Sequence, residues 1–216
     1  MEQEILTDPQ KAAISFIAHE QRLSSYYLSG GTALAAYYLY HRLSDDLDFF
    51  TPEAPDIVFL HEFGERLKQY LKAHTVHFQR LYDRNMFEFL GEFGALKIEF
   101  TKYPFPQLEA PTIINEVHID SFSDVSANKL MAMLDRFDPK DFVDLFFIFQ
   151  KRPLQTVWKD AEKKFDITID ALFLGAELAK ARRIAGLPRM IQPVSIEELK
   201  AFFSDRAREL KGSILL

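Results

Sequence analysis

Residues 42–50 read Arg42-Leu-Ser-Asp-Asp-Leu-Asp-Phe-Phe50. Side chains on a strand alternate faces, so Asp46 and Asp48 share one side while Leu47 and Phe49 take the other. Two carboxylates held side by side in an apolar segment repel each other, and a hard cation such as Mg²⁺ relieves that repulsion. Upstream, Leu28-Ser-Gly-Gly-Thr-Ala33 reads as a strand running through a two-glycine turn into a helix. The N–H groups at such a helix start, from Gly30 and Gly31, and the hydroxyls of Ser29 and Thr32 are donors suited to phosphate oxygens. Alone, the glycine pair reads more simply as a tight turn that needs glycine for close packing. Beside the Asp-x-Asp pair, it points to nucleotide chemistry.

The rest of the composition is compatible with an enzyme core. The chain has 216 residues, 48% of them hydrophobic and 14% aromatic, enough to bury a core of one large or two small domains. It has no cysteine, which excludes disulfides, thiolate nucleophiles and zinc–thiolate sites and suits a reducing compartment. The start, Met-Glu-Gln-Glu-Ile, is acidic and unlike a signal peptide, and no apolar run of about 18 residues appears. These features predict a cytoplasmic protein without a membrane partner. Charge is uneven: residues 1–150 carry a net −10 and residues 151–216 a net +4. A basic tail region beside an acidic part fits solvated surface helices more simply than a polyanion-binding face.

Along the chain, Asp8-Pro9-Gln10 predicts a helix start, Tyr26–Ser29 a short strand, Thr32–Tyr40 a helix and Leu47–Thr51 a second strand. Asp56 caps a helix from Ile57 to about Lys72. Strands follow at Val76–Tyr82, Met86–Gly91 and Ala95–Lys102, the first two joined through Asp83-Arg84-Asn85 as an antiparallel meander. Pro104, Pro106 and Pro111 mark an irregular connector, and Val117–Ile119 reads as a short edge strand. Ser123-Asp124 caps a helix to about Arg136, Asp138-Pro139 starts another to about Gln150, and the remainder is helical with breaks near Ile167 and Gly186–Pro193 and an N-cap at Ser195. The fold class is α+β, a mixed sheet flanked by helices and followed by a helical C-terminal part. The expected division is 1–120 for the α/β core and 121–216 for the helical part.

A catalytic metal site calls for a third carboxylate from a neighbouring strand. In Ala95-Leu-Lys-Ile-Glu-Phe-Thr101, Glu99 falls on the polar face with Lys97 and Thr101, so it is the candidate ligand and proton acceptor if this strand lies beside Leu47–Thr51. An ordinary solvent-facing pair explains Glu99 and Lys97 as well. The helix after Pro139 carries Lys140, Asp141 and Asp144 among Phe142, Val143, Leu145, Phe146 and Phe147. A carboxylate in such apolar company needs a cation, and Lys129, Arg136 and Lys140 are available. A structural salt bridge and a site role remain equally open for Asp144. His41 stands beside Arg42, but six scattered histidines without paired spacing give no metal site.

Leu28-Ser-Gly-Gly-Thr-Ala-Leu34, His41-Arg-Leu-Ser-Asp-Asp-Leu-Asp-Phe-Phe-Thr51 and Lys129-Leu through Arg136-Phe-Asp-Pro-Lys-Asp-Phe-Val-Asp-Leu145 together resemble the AbiEii/AbiGii toxin family of nucleotidyltransferases, which is similar to the DNA polymerase beta-like superfamily. The resemblance spans roughly Tyr26 to Phe149. It implies a nucleotidyltransferase-type sheet, an NTP substrate and two Mg²⁺ ions. It further implies transfer of a nucleoside monophosphate to an acceptor hydroxyl, which in some relatives is the 3′ end of tRNA, and a toxin with a cognate antitoxin. By matching positions, Ser29, Gly30, Gly31 and Thr32 would hold the triphosphate and Asp46 and Asp48 the metals. Lys129, Lys140, Asp141 and Asp144 would belong to the nucleotide site. Glu99 would take a third-carboxylate place where many relatives have Asp. A catalytically silent binding module and a small-molecule adenylyltransferase are the rival readings, and Lys180, Arg182, Arg183 and Arg189 are the cations available to an RNA acceptor.

Overall fold

The computed structural model describes residues 5–214, with side chains as far as residue 210. Seven strands form one sheet: β1 (Tyr27–Ser29), β2 (Asp46–Thr51), β3 (Thr75–Leu81), β4 (Arg84–Gly91), β5 (Gly94–Lys102), β6 (Thr112–Ile114) and β7 (Val117–Ile119), ordered β3-β4-β5-β2-β1-β7-β6. The pairs β2–β5 and β1–β7 are parallel and the others antiparallel, so the sheet is mixed as expected. Val117–Ile119, expected at the edge, instead lies between β1 and β6. The edge comes from Thr112–Ile114, which lies in a stretch the sequence reading left irregular. Its hairpin closes through Asn115 and Glu116, both at positive φ (48° and 66°), without the Asn-Gly pair that advertises such turns. The β3–β4 turn likewise falls on Tyr82 and Asp83, leaving Arg84 and Asn85 inside β4.

The chain divides into two compact units. One holds the described residues up to Ala36 together with Ser44–Phe105 and Ala110–Ser121; the other holds Tyr37–Leu43, Pro106–Glu109 and the chain from Phe122 onward.

In the first unit, α1 (Asp8–Ala18) starts one residue earlier than expected. Thr7, not Asp8, is the N-cap, because Thr7 and Gln10 satisfy each other's backbone N–H in a capping box while Asp8 and Pro9 fill the first turn. Helix α3 (Ile57–Leu71), capped by Asp56, lays Phe59, Leu60, Phe63 and Leu67 on the sheet face made by Phe87, Phe89, Leu96, Ile98 and Phe100, all buried. Phe63 meets Phe100 edge-on at 5.9 Å. The opposite face of β2, β4 and β5 carries the polar residues. After Ser29 the chain turns into α2 (Gly30–Ala33), which widens into a π-helical turn at Leu34–Leu39.

The second unit contains α4 (Phe122–Asp135), α5 (Pro139–Lys151), α6 (Leu154–Phe165), α7 (Ala171–Leu178), a 3₁₀ turn (Ala179–Arg183) and α8 (Ile196–Ile214). Asp138 caps α5, Asp166 in the left-handed region ends α6, and Ser195 with Glu198 caps α8. Asp124 does not cap α4. That helix begins at Phe122, and the fully buried Asp124 carboxylate accepts the backbone N–H groups of Leu108 and Glu109 and pairs with Lys164 at 2.7 Å.

Candidate active site

Strand β2 sits between β1 and β5, with Asp48 opposite Ser29 on one side and Glu99 on the other, and Asp46 opposite Lys97. Alternation then places Asp46, Asp48 and Glu99 on the face away from α3. Together with His77, Arg84 and Lys97 they line an open cavity of about 360 Å³ in the first unit.

The glycine turn is built against this pair of aspartates. Gly30 has φ +68°, and a Cβ there would fall 2.2 Å from Oδ2 of Asp48. Only glycine therefore allows the Asp48 carboxylate to lie on the start of α2. Gly30 and Gly31 remain half-exposed, whereas Ser29 and Thr32 are fully buried. The Ser29 hydroxyl donates to Asp120 at 2.7 Å, and the Thr32 hydroxyl donates to the Asp46 carbonyl. Both hydroxyls are thus committed inside the protein, Thr32 fixing the turn against β2 and Ser29 tying the end of β1 to the residue after β7. Neither hydroxyl hydrogen is therefore left for the phosphate contact expected of it.

Glu99 is held within the sheet. Arg84 donates from Nε to Oε1 at 2.7 Å and from Nη2 to Oε2 at 2.5 Å, and the Thr101 hydroxyl donates to Oε1. The hydrogen bonds to Glu99, with its charge and that of Asp48, raise the Arg84 pKa. As hard oxygen donors on one strand face, exposed Asp46 and half-exposed Asp48 suit a divalent ion. With Glu99 turned to Arg84, no three Asp, Glu or His side chains among the described residues are placed to hold one metal. The two aspartates fit the implied metal; the third carboxylate is engaged elsewhere.

The residues of the last motif converge in the second unit on a buried cluster. Asp144, without exposed surface, accepts Arg42 through both carboxylate oxygens at 2.6 and 2.9 Å, His41 Nε2 at 2.8 Å and Lys129 Nζ at 2.8 Å. Lys129 also reaches Asp141 at 3.1 Å, and Arg136 pairs with the same Asp141 at 3.2 Å. Lys140 stays outside the cluster, exposed on the far side of the helix start. Burial alone would raise the Asp144 carboxyl, but Lys129 and Arg42 outweigh it and hold its pKa well below the usual range. Burial pushes the His41 imidazole below its ordinary value despite the pull of Asp144. Its Nδ1 has no partner, which fits a neutral ring donating from Nε2. The sequence reading offered Lys129, Arg136 and Lys140 to Asp144 and missed Arg42 and His41. The available signal was their place at the head of the Asp-x-Asp stretch, where two residues able to donate to a carboxylate stand side by side.

Of the basic residues proposed for an acceptor, Lys180 pairs with Glu177 at 2.5 Å and Arg183 lies over the Phe137 ring at 4.3 Å, while Arg182 is exposed. No helix among the described residues is long and apolar enough to cross a membrane.

Comparison with known proteins adds three findings. Residues 13–211 match the family described as "Nucleotidyl transferase AbiEii toxin, Type IV TA system". The chain is 31% identical over 165 residues to the uncharacterized protein aq_aa25 of Aquifex aeolicus (strain VF5), covering 74% of this chain and 76% of that protein. It superposes on the crystal structure of JHP933 from Helicobacter pylori with a TM-score of 0.59 at 21% identity, covering 95% of this chain and 90% of the other, a likeness of fold.

Proposed function

The chain belongs to the AbiEii nucleotidyl transferase toxin family, and on that premise we propose that it transfers a nucleoside monophosphate from an NTP to an acceptor hydroxyl at an RNA 3′ end such as that of tRNA. The observation that carries this reading is the Asp48 carboxylate lying on Gly30, which joins a carboxylate pair to a turn of backbone donors. Asp46 and Asp48 would hold Mg²⁺, which when bound withdraws charge from the phosphate oxygens and from the attacking oxygen. The N–H groups of Gly30 and Gly31 would orient the triphosphate, with the turn held to β2 by the buried Thr32 hydroxyl and to Asp120 by that of Ser29. Glu99 would take the proton of the acceptor hydroxyl once free of Arg84. The α/β part would carry the chemistry and the helical part the acceptor, with a cognate antitoxin as the partner that restrains it.

The test is to incubate the purified protein with each NTP labelled at the α phosphate, Mg²⁺ and either total tRNA or protein fractions. Label on RNA, abolished by EDTA and lowered at least about a hundredfold by Asp48→Asn, is the expected result. Label on protein or a small molecule would move the acceptor. No NTP binding at all would mean a silent module.

A further inference from the structure

Glu99 is held by three hydrogen bonds, two of them from a side chain to which the proposed chemistry gives no part. Three donors converge on it: Arg84 Nε and Nη2 from β4, and the hydroxyl of Thr101 two residues along β5. The register explains how. Arg84 stands opposite Thr101 and Met86 opposite Glu99, so the guanidinium reaches one pair along the same face to clamp both oxygens of Glu99. The two partners differ in freedom: the Glu99 side chain is 13% exposed and that of Arg84 is 52% exposed, close to the Tyr82-Asp83 turn that starts its strand. The guanidinium can leave into the cavity; the carboxylate cannot.

The charges around the pair make such a clamp necessary when no metal is present. Asp46, Asp48 and Glu99 occupy neighbouring positions on β2 and β5, and Lys97, which lines the same cavity, leans 3.9 Å toward Glu88. Arg84 therefore offsets negative charge from Glu99 and from Asp48 together. A divalent ion at Asp46 and Asp48 would supply the same positive charge, and a guanidinium beside it would then be repelled.

We propose that Arg84 is a resident counter-ion, which occupies Glu99 until a divalent cation replaces it and is then free to meet the polyphosphate of the NTP. The inference rests on the proposed metal role of Asp46 and Asp48. Thr101 keeps Glu99 oriented after the exchange, so only one side chain has to move.

Mn²⁺ binding to the full chain without nucleotide, followed by calorimetry and by the spin signal of free Mn²⁺, tests the exchange apart from catalysis. Arg84→Ala removes the competing cation and is expected to tighten Mn²⁺ binding roughly three- to tenfold, the range open to a partly exposed bidentate pair. Arg84→Lys, which cannot clamp both oxygens, falls between. In a Glu99→Gln background, Arg84→Ala has a smaller effect, because only the charge it shares with Asp48 is left to release. Unchanged or weaker Mn²⁺ binding in Arg84→Ala, or tightening undiminished by Glu99→Gln, overturns the inference. If Asp48→Asn still abolishes the binding, the metal reading stands without it. Absence of Mn²⁺ binding in every variant overturns both.

Discussion

At the residue scale, Asp144 shows how a charge is kept inside an apolar helix. Three cationic or hydrogen-bonding partners, Arg42, Lys129 and His41, surround it with no exposed carboxylate surface. Removing one partner of such a buried pair typically costs about 3–5 kcal/mol, because the other charge stays behind without water. His41 gives this cluster a pH signature. Its folded pKa lies below the unfolded value of about 6.5, so the folded state resists protonation, and stability present above that pH declines as pH falls through the window below it. Asp144, also depressed, adds a second loss only below its unfolded value of about 3.9. Urea unfolding of the wild type and His41→Gln from pH 8 to 2 separates the two. The variant should be less stable overall yet lose the decline below pH 6.5 and keep the acid limb; an unchanged slope in that window would mean that His41 is not its source.

At the scale of elements, α3 approaches the sheet closely at one point. A Cβ on Gly64 would come within 2.6 Å of the Phe87 ring, and Phe87 is itself wedged among Phe78, Phe89 and Phe100 at 4.8 to 6.1 Å. The ring has nowhere to turn. Alanine at a helix interior gains roughly 1 kcal/mol over glycine, while overpacking a core costs about 1–3 kcal/mol. Gly64→Ala should therefore be neutral to about 2 kcal/mol destabilising, read as a lowered thermal midpoint. A clear rise would show that the helix can ride outward freely. Sequence periodicity placed α3 and its Asp56 cap correctly, since a 3.6-residue apolar repeat and an N-cap are local properties. It could not show that Gly64 faces Phe87, because that contact joins segments more than twenty residues apart and depends on the sheet's register.

At the scale of the whole molecule, the two compact units are not consecutive stretches of chain. Tyr37–Leu43 and Pro106–Glu109 belong with the helices from Phe122 onward. A cut at the expected boundary, 120/121, would strip Asp144 of Arg42 and His41, and Asp124 of the Leu108 and Glu109 N–H donors. Two buried carboxylates losing partners rivals the total stability of an ordinary domain, about 5–15 kcal/mol. An isolated 121–216 fragment is expected to show helical far-ultraviolet dichroism without dispersed amide resonances. A dispersed spectrum would mean that the helices satisfy Asp124 and Asp144 by themselves.

The sequence by itself determined the α+β class, the face shared by Asp46 and Asp48, the polar face of β5 and the helix caps at Asp56, Asp138 and Ser195, because strand alternation and capping need only neighbouring residues. It also carried the family, through two motifs separated by some eighty residues. Only the tertiary structure decided that β5 runs parallel beside β2, that Ser29 and Thr32 spend their hydroxyls inside the protein, that Arg84 holds Glu99 and that Arg42 closes over Asp144. Each of these depends on which distant segment becomes the neighbour, and a buried charge or hydroxyl takes the partner the fold brings within reach.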